Sequence, residues 1–162
     1  MNITFSRKEF TRLVELVYLG GLVAGAADGD SGRYTRRYGE LAGKIYKLAA
    51  THEDGRPEYV EENEEIEGAF APSFLLETDS PAAGALEKYE NHVFWDELIS
   101  RLAERDVRRE EARNPSPPSD DPEAALEAQS KREDRQEARY RDEFVKNDLG
   151  NVFVMFGSDR LS

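Results

Sequence analysis

The stretch "HVFWDELISRLAERD", residues 92–106, holds the chain's only tryptophan, one of its two histidines and four carboxylates. His92 and Asp96 lie four apart, a spacing that puts both on one face of a helix, where they could ligate a metal. A zinc site takes three or four ligands, and this pair supplies two. The other histidine, His52, falls in "THED" on an expected loop, and the chain has no HExxH. No metal and no cofactor is therefore expected. The apolar residues of the same stretch tell a simpler story. Trp95, Leu98, Ile99 and Leu102 recur at i, i+3, i+4 and i+7, with Phe94 and Ala103 beside them, which is the pattern of a helix with one buried face. Its polar back, Asp96, Glu97, Arg101 and Arg105, is the candidate interaction surface. No catalytic residue is assigned.

Carboxylates on helical faces can also hold magnesium in hydrolases built on helical bundles. "EENEEIE" has the acids but no helical periodicity. "LAERDVRREEA" offers Glu104, Asp106, Glu110 and Glu111, with arginines interleaved that would neutralise a cation site. Both read as solvated charge runs, and a carboxylate-metal-dependent hydrolase stays as the alternative function. No GxxxxGK[ST], GxGxxG or GxSxG is present, so phosphate cradling and a serine-hydrolase elbow have no support. "GGLVAG" sits inside an apolar helix and is not a phosphate loop. Tyr34 and Tyr38, with the basic residues around them, imitate a nucleic-acid-binding stripe. Helical spacing puts both on an expected core face, which argues against that role.

The 162 residues carry 34 Asp and Glu against 22 Lys and Arg, a formal charge of −12. That balance disfavours binding to phosphate backbones, which depends on basic residues. The charge is local, however: "RYTRRYGELAGKIYK" is basic and "HEDGRPEYVEENEEIEG" acidic. There are no cysteines, which excludes disulfides and thiolate chemistry. The N-terminus has no charged leader followed by an apolar run, so no secretory signal is expected. The longest apolar stretch, "LVYLGGLVAGAA", is bounded by Glu15 and Asp28 and is shorter than the roughly 20 residues of a membrane span. The expectation is a cytoplasmic protein that meets no membrane.

These residues must be positioned by helices. "SRKE" offers Ser6 as N-cap with Glu9 three residues on, a capping box. The helix it opens is apolar on nearly every side through Leu16, Leu19, Leu22 and Val23, which predicts a central core helix. A Gly/Asp-rich turn leads into a second helix bearing Tyr34, Tyr38, Leu41, Ala42, Ile45 and Leu48, and the short connection predicts an antiparallel hairpin. Residues 51–72 read as an acidic excursion in which "PEYVEE" could form a short strand. Ser73 caps a short turn, and Ser80 with Pro81 starts a third helix. Asn91, a good N-cap, predicts a break near 90–92. A Pro-rich linker at 113–121 leads to a last helix, begun by "DDPE" and charged all round, with Glu137–Arg141 and Arg139–Glu143 as expected ion pairs. Tyr140 and Phe144 are its expected docking points.

"NVFVMF" near the C-terminus is strand-like, and its expected partner is "NITF" at the N-terminus. The chain thus reads as one domain, 1–162. It is mainly α, a bundle of four to five helices with a small β ribbon joining the N- and C-terminal strands. "ITFSRKEFTRLVELVYLGGLVA", "YGELAGKIYKLA", "FWDELISRLAERD" and "YRDEFVKNDLGNVFV" together resemble a set of small bacterial proteins of unassigned function that carry an FWxEL…RLAxRD helix. The resemblance implies a bacterial cytoplasmic protein and carries over no functional residue. The function expected from all this is non-enzymatic binding or adaptor work. Its expected partner is a protein, a second copy of the chain included.

Overall fold

Helix starts set most of the architecture. In a computed structural model describing residues 3–29, 31–115 and 121–153, Ser6 and Glu9 form the reciprocal capping box that opens α1 (Arg7–Asp28). α2 (Arg33–Thr51) follows Gly32, which has a φ of 57° and no side chain with which to cap. Asp28 does the capping from across the turn. Its carboxylate accepts the N–H groups of Tyr34 at 2.6 Å and Thr35 at 2.7 Å, two donors with no partner inside the helix. Burial works against the charge on Asp28, but hydrogen bonds from Thr35, Tyr34 and Ser31 hold its carboxyl below the usual aspartate range.

The protein is mainly α, with five α-helices and one small antiparallel ribbon among the described residues. A one-turn 3-10 helix, Pro57–Tyr59, leads into β1 (Val60–Glu62), which pairs with β2 (Phe70–Pro72). α3 (Phe74–Thr78), α4 (Pro81–Arg113) and α5 (Pro122–Asn147) complete the order. Ser73, Ser80 and Asp121 cap the last three as expected.

The ribbon is not the terminal one. It lies inside the acidic excursion, where loop closure is short. Asn63 folds the turn by accepting the N–H groups of Glu65 and Ile66. Ser73 locks its base by donating to the Glu58 carbonyl at 2.6 Å. Ile3–Phe5 and Val152–Phe153 are not in strands, and residues 154–156 of the expected C-terminal strand lie outside the described residues. The expected break near 90–92 is also absent. α4 runs unbroken, and the Asn91 side chain accepts from the Trp95 indole at 3.2 Å rather than capping a new helix.

Two compact units divide the chain, Met1–Glu90 and Asn91–Ser162. The first has a core of Val14, Tyr18, Tyr46, Ala49, Tyr59, Val60, Leu76 and Ala82. Its tightest point is Gly55, where any Cβ would collide with the carbonyl oxygens of Ala49 and His52. In the second, α5 runs antiparallel to the C-terminal part of α4, with Phe144 buried beside Trp95 and Tyr140. Of the ion pairs expected along α5, Arg141 reaches Glu137 at 3.9 Å. Arg139 turns instead to Gln136, and Glu143 accepts from Asn147 and Asn151.

Candidate binding surface

The four residues of the expected interaction surface do not act together. Asp96 pairs with His92 at 3.2 Å, and Arg101 with Glu97 at 2.8 Å, each along the exposed back of α4. Exposed pairs of this kind contribute about 0–1 kcal/mol. Arg105 is drawn elsewhere. Its guanidinium donates to Asp106 at 2.9 Å and to the Tyr140 hydroxyl at 3.1 Å, while that hydroxyl donates to the second carboxylate oxygen of Asp106. Residues of α4 and α5 thus meet in one polar knot. Among the described residues, no three His, Asp or Glu side chains gather as a metal site would require.

Burial opposes the charge on Asp106, but the hydrogen bonds from Arg105 and Tyr140, with the charges of Arg105 and Arg109, hold its carboxyl below the ordinary aspartate value. Burial pushes the Tyr140 phenol up, and its bond to Asp106 adds to that. A carboxyl depressed in the folded state contributes stability above its unfolded pKa of about 3.9, lost as pH falls through the lower folded value. Asp106→Asn should therefore leave the second unit less stable at neutral pH and remove part of its acid sensitivity below about pH 4. Unfolding followed by Trp95 fluorescence at pH 7 and pH 3 tests this. Equal acid sensitivity in both proteins would rule out the knot as a source of stability.

The larger surprise lies in the first unit. α1 is not an enclosed core helix. Leu16 and Val23 are each 65% exposed, and only Val14, Tyr18, Ala24 and Asp28 along it are buried. An 18-residue window of α1 has a mean hydropathy of 1.4, which by length and composition is enough to cross a membrane. The uncharged run alone is shorter, and the window reaches past Glu15 or Asp28 to find its length. On α2, Tyr34 and Tyr38 are 42% and 49% exposed, so they do not lie on the core face. That face belongs to Tyr46 and Ala49. Arg37 lies over the Tyr38 ring, 5.7 Å from its centroid.

Between α1 and α2 runs a groove of about 450 Å³. Gly20, Gly21 and Gly39 keep it open, since a Cβ on any of them would meet nothing within 4 Å. Tyr18, Thr35, Tyr38, Tyr46 and the exposed Glu77 supply the polar groups of an otherwise apolar wall. Burial raises the phenols of Tyr18 and Tyr46, the latter to about 12, and the Glu77 carboxylate raises each further. Both therefore stay protonated at neutral pH. Sequence reading missed this site because periodicity assigned the apolar surfaces of both helices to a core. The glycines of "GGLVAG" were the available signal, and they mark space rather than close packing. No family model, curated protein or solved structure matches the chain.

Proposed function

We propose that this chain is a non-enzymatic cytoplasmic binding protein of the adaptor kind, which recognises another protein through the outer face of α1. The observation that supports this reading is the exposure of Leu16 and Val23, 65% each, on a helix that carries no charge between Glu15 and Asp28. Contiguous apolar surface of this sort marks an interaction site on a soluble protein. Leu16 and Val23 are seven residues apart, two turns along one side of α1, which suits a partner helix laid alongside. The hydrolase alternative has no comparable observation in its favour.

A charge on that face should abolish binding without unfolding the protein. Val23→Glu is expected to keep the helical circular-dichroism signal and melting temperature of the wild type, because the side chain is exposed. It should lose the protein partners that the wild-type chain retains in affinity capture, and lose any self-association seen by sedimentation. Arg101→Ala, on the self-paired back of α4, should lose neither. If Val23→Glu keeps every partner and the same mass in solution, the α1 face is not the contact surface.

A further inference from the structure

We propose that α2 docks on an anionic phospholipid surface. Tyr34, Tyr38, Leu41 and Leu48 would sit at the level of the headgroups, and Arg33, Arg37 and Lys44 beside them would meet the lipid phosphates. This goes beyond the adaptor reading and does not depend on it, because the docking residues lie on α2 and not on the outer face of α1. It departs from the expectation of a protein that meets no membrane, which rested on the short apolar run of α1.

Every residue from Arg33 to Leu41 is exposed, so the first half of α2 stands uncovered among the described residues. Helical spacing sorts the surface of α2 into three strips. Tyr46 and Ala49 are buried in the core. Tyr34, Tyr38, Leu41 and Leu48 fall at i, i+4, i+7 and i+14 on one flank, and each is between 42% and 60% exposed. Leu22 of α1 shares the groove wall with Tyr38 and Leu41, which carries the apolar strip across to the other helix. Arg33, Arg37 and Lys44, at i, i+4 and i+11, run along the border of that flank away from the core.

Charge decides what kind of surface fits. α2 carries five cations against one carboxylate, Glu40, in a chain whose formal charge is −12. None of the five forms an ion pair with a described residue, although both strands of the acidic ribbon contact α2. Arg36 donates to the Ser31 carbonyl, and Arg37 lies over the Tyr38 ring. Arg101, Arg108 and Lys131, by contrast, each hold a carboxylate one turn away. Unpaired cations beside exposed tyrosine and leucine have the composition of a helix that lies in a membrane interface. There the rings and leucines sit among headgroups, and the Lys and Arg stems cross apolar surface to bring their charge to the phosphates. Salt screens the acidic remainder of the chain beyond about 8 Å, so the cations nearest the lipid govern the approach. A single-stranded nucleic acid would use the same cations and rings. It would leave Leu41 and Leu48 with nothing to bury against, and Arg37 already lies over one face of Tyr38.

The test uses the full chain, vesicle flotation and three probes. These are phosphatidylcholine vesicles, the same vesicles with about 30 mol% phosphatidylserine, and a single-stranded oligonucleotide. The phosphatidylserine vesicles should bind about tenfold more tightly than the neutral ones, and the difference should collapse in about 1 M salt. Leu41→Glu should weaken that binding about tenfold, as should Arg37→Glu combined with Lys44→Glu, whereas Lys131→Glu on α5 should stay within about twofold of wild type. Circular dichroism should be unchanged throughout, because every altered side chain is exposed. The chain has no cysteine, so Leu41→Cys accepts a single polarity-sensitive dye. Its emission should shift to the blue on the anionic vesicles, and the same dye on Lys131→Cys should not shift. The proposal is overturned if neutral vesicles bind as well as anionic ones, if Leu41→Glu binds like the wild type, or if the Leu41 dye does not shift. It is equally overturned if the oligonucleotide binds more tightly than the anionic vesicles. The adaptor reading is tested by protein capture with Val23→Glu, so either result can fail without the other.

Discussion

Leu76→Ala should cost about 2–5 kcal/mol of stability, the range for removing a fully buried leucine from a core that cannot collapse around the gap. Leu76 is 0% exposed and is, with Val14, one of the largest completely enclosed side chains. It sits at the centre of α3, a helix too short to persist by its own hydrogen bonds. Ser73 caps the front of α3, and Ser80 donates back to the Leu76 carbonyl at 2.6 Å. The leucine is thus what anchors α3 to the core, with the caps fixing its ends. Glu77 is its neighbour in sequence, so the position of the groove's carboxylate depends on the same anchor. Phe74→Ala provides the control. Phe74 is larger but 75% exposed, and its removal should change stability by about 0.5 kcal/mol or less. Chemical unfolding of the two variants checks the contrast. Should Leu76→Ala cost under 1 kcal/mol, α3 is not held as described and the placement of Glu77 falls with it.

What was legible in the sequence was local chemistry. Ser6, Ser73, Ser80 and Asp121 cap the helices they were expected to cap, because capping is decided within four residues. The helix-rich class with a small ribbon was legible for a related reason, since periodicity and turn residues are local signals. What failed needed knowledge of what lies beside each helix. Tyr34, Tyr38 and the outer side of α1 have the spacing of a buried face, yet nothing covers them among the described residues of the first unit. Periodicity reports that a face is apolar and is silent on what meets it. The small ribbon is present, at another place among the described residues. "NVFVMF" and "NITF" have strand composition, but Val60–Glu62 finds Phe70–Pro72 only a short turn away. Asn91 shows the same limit in miniature: its capping oxygen was claimed by the Trp95 indole, one turn further along an uninterrupted helix. Asp96, Glu97 and Arg101 of the candidate surface are exposed on the back of α4, where Asp96 pairs with His92 and Arg101 with Glu97.

Ile99→Ala should be the most damaging change in the 92–106 helix, costing about 2–4 kcal/mol. Sequence spacing favours Leu98 for that role, grouping it with Trp95, Ile99 and Leu102. The structure turns the buried face by one position. Ile99, Ala103 and Val107, at i, i+4 and i+8, are 4%, 1% and 5% exposed, whereas Leu98 and Leu102 are only half-buried. On the same side of the helix, Phe144 of α5 packs beside Trp95 with ring centroids 5.3 Å apart. Tyr140 stacks on Phe144 at 5.9 Å and carries its hydroxyl to Asp106 one turn along. Asp106 lies between this buried face and the Leu98–Leu102 side of α4, within reach of that hydroxyl. Truncating Ile99 opens a cavity next to Trp95 and Phe144, so the indole's fluorescence should report the loss directly. Leu98→Ala, with part of its side chain already in water, should cost about half as much. If the two variants rank the other way in urea unfolding followed at Trp95, the buried face is centred on Leu98. Tyr140→Phe should cost about 1 kcal/mol, read on the same unfolding curve, for the lost bond to a charged, partly exposed partner.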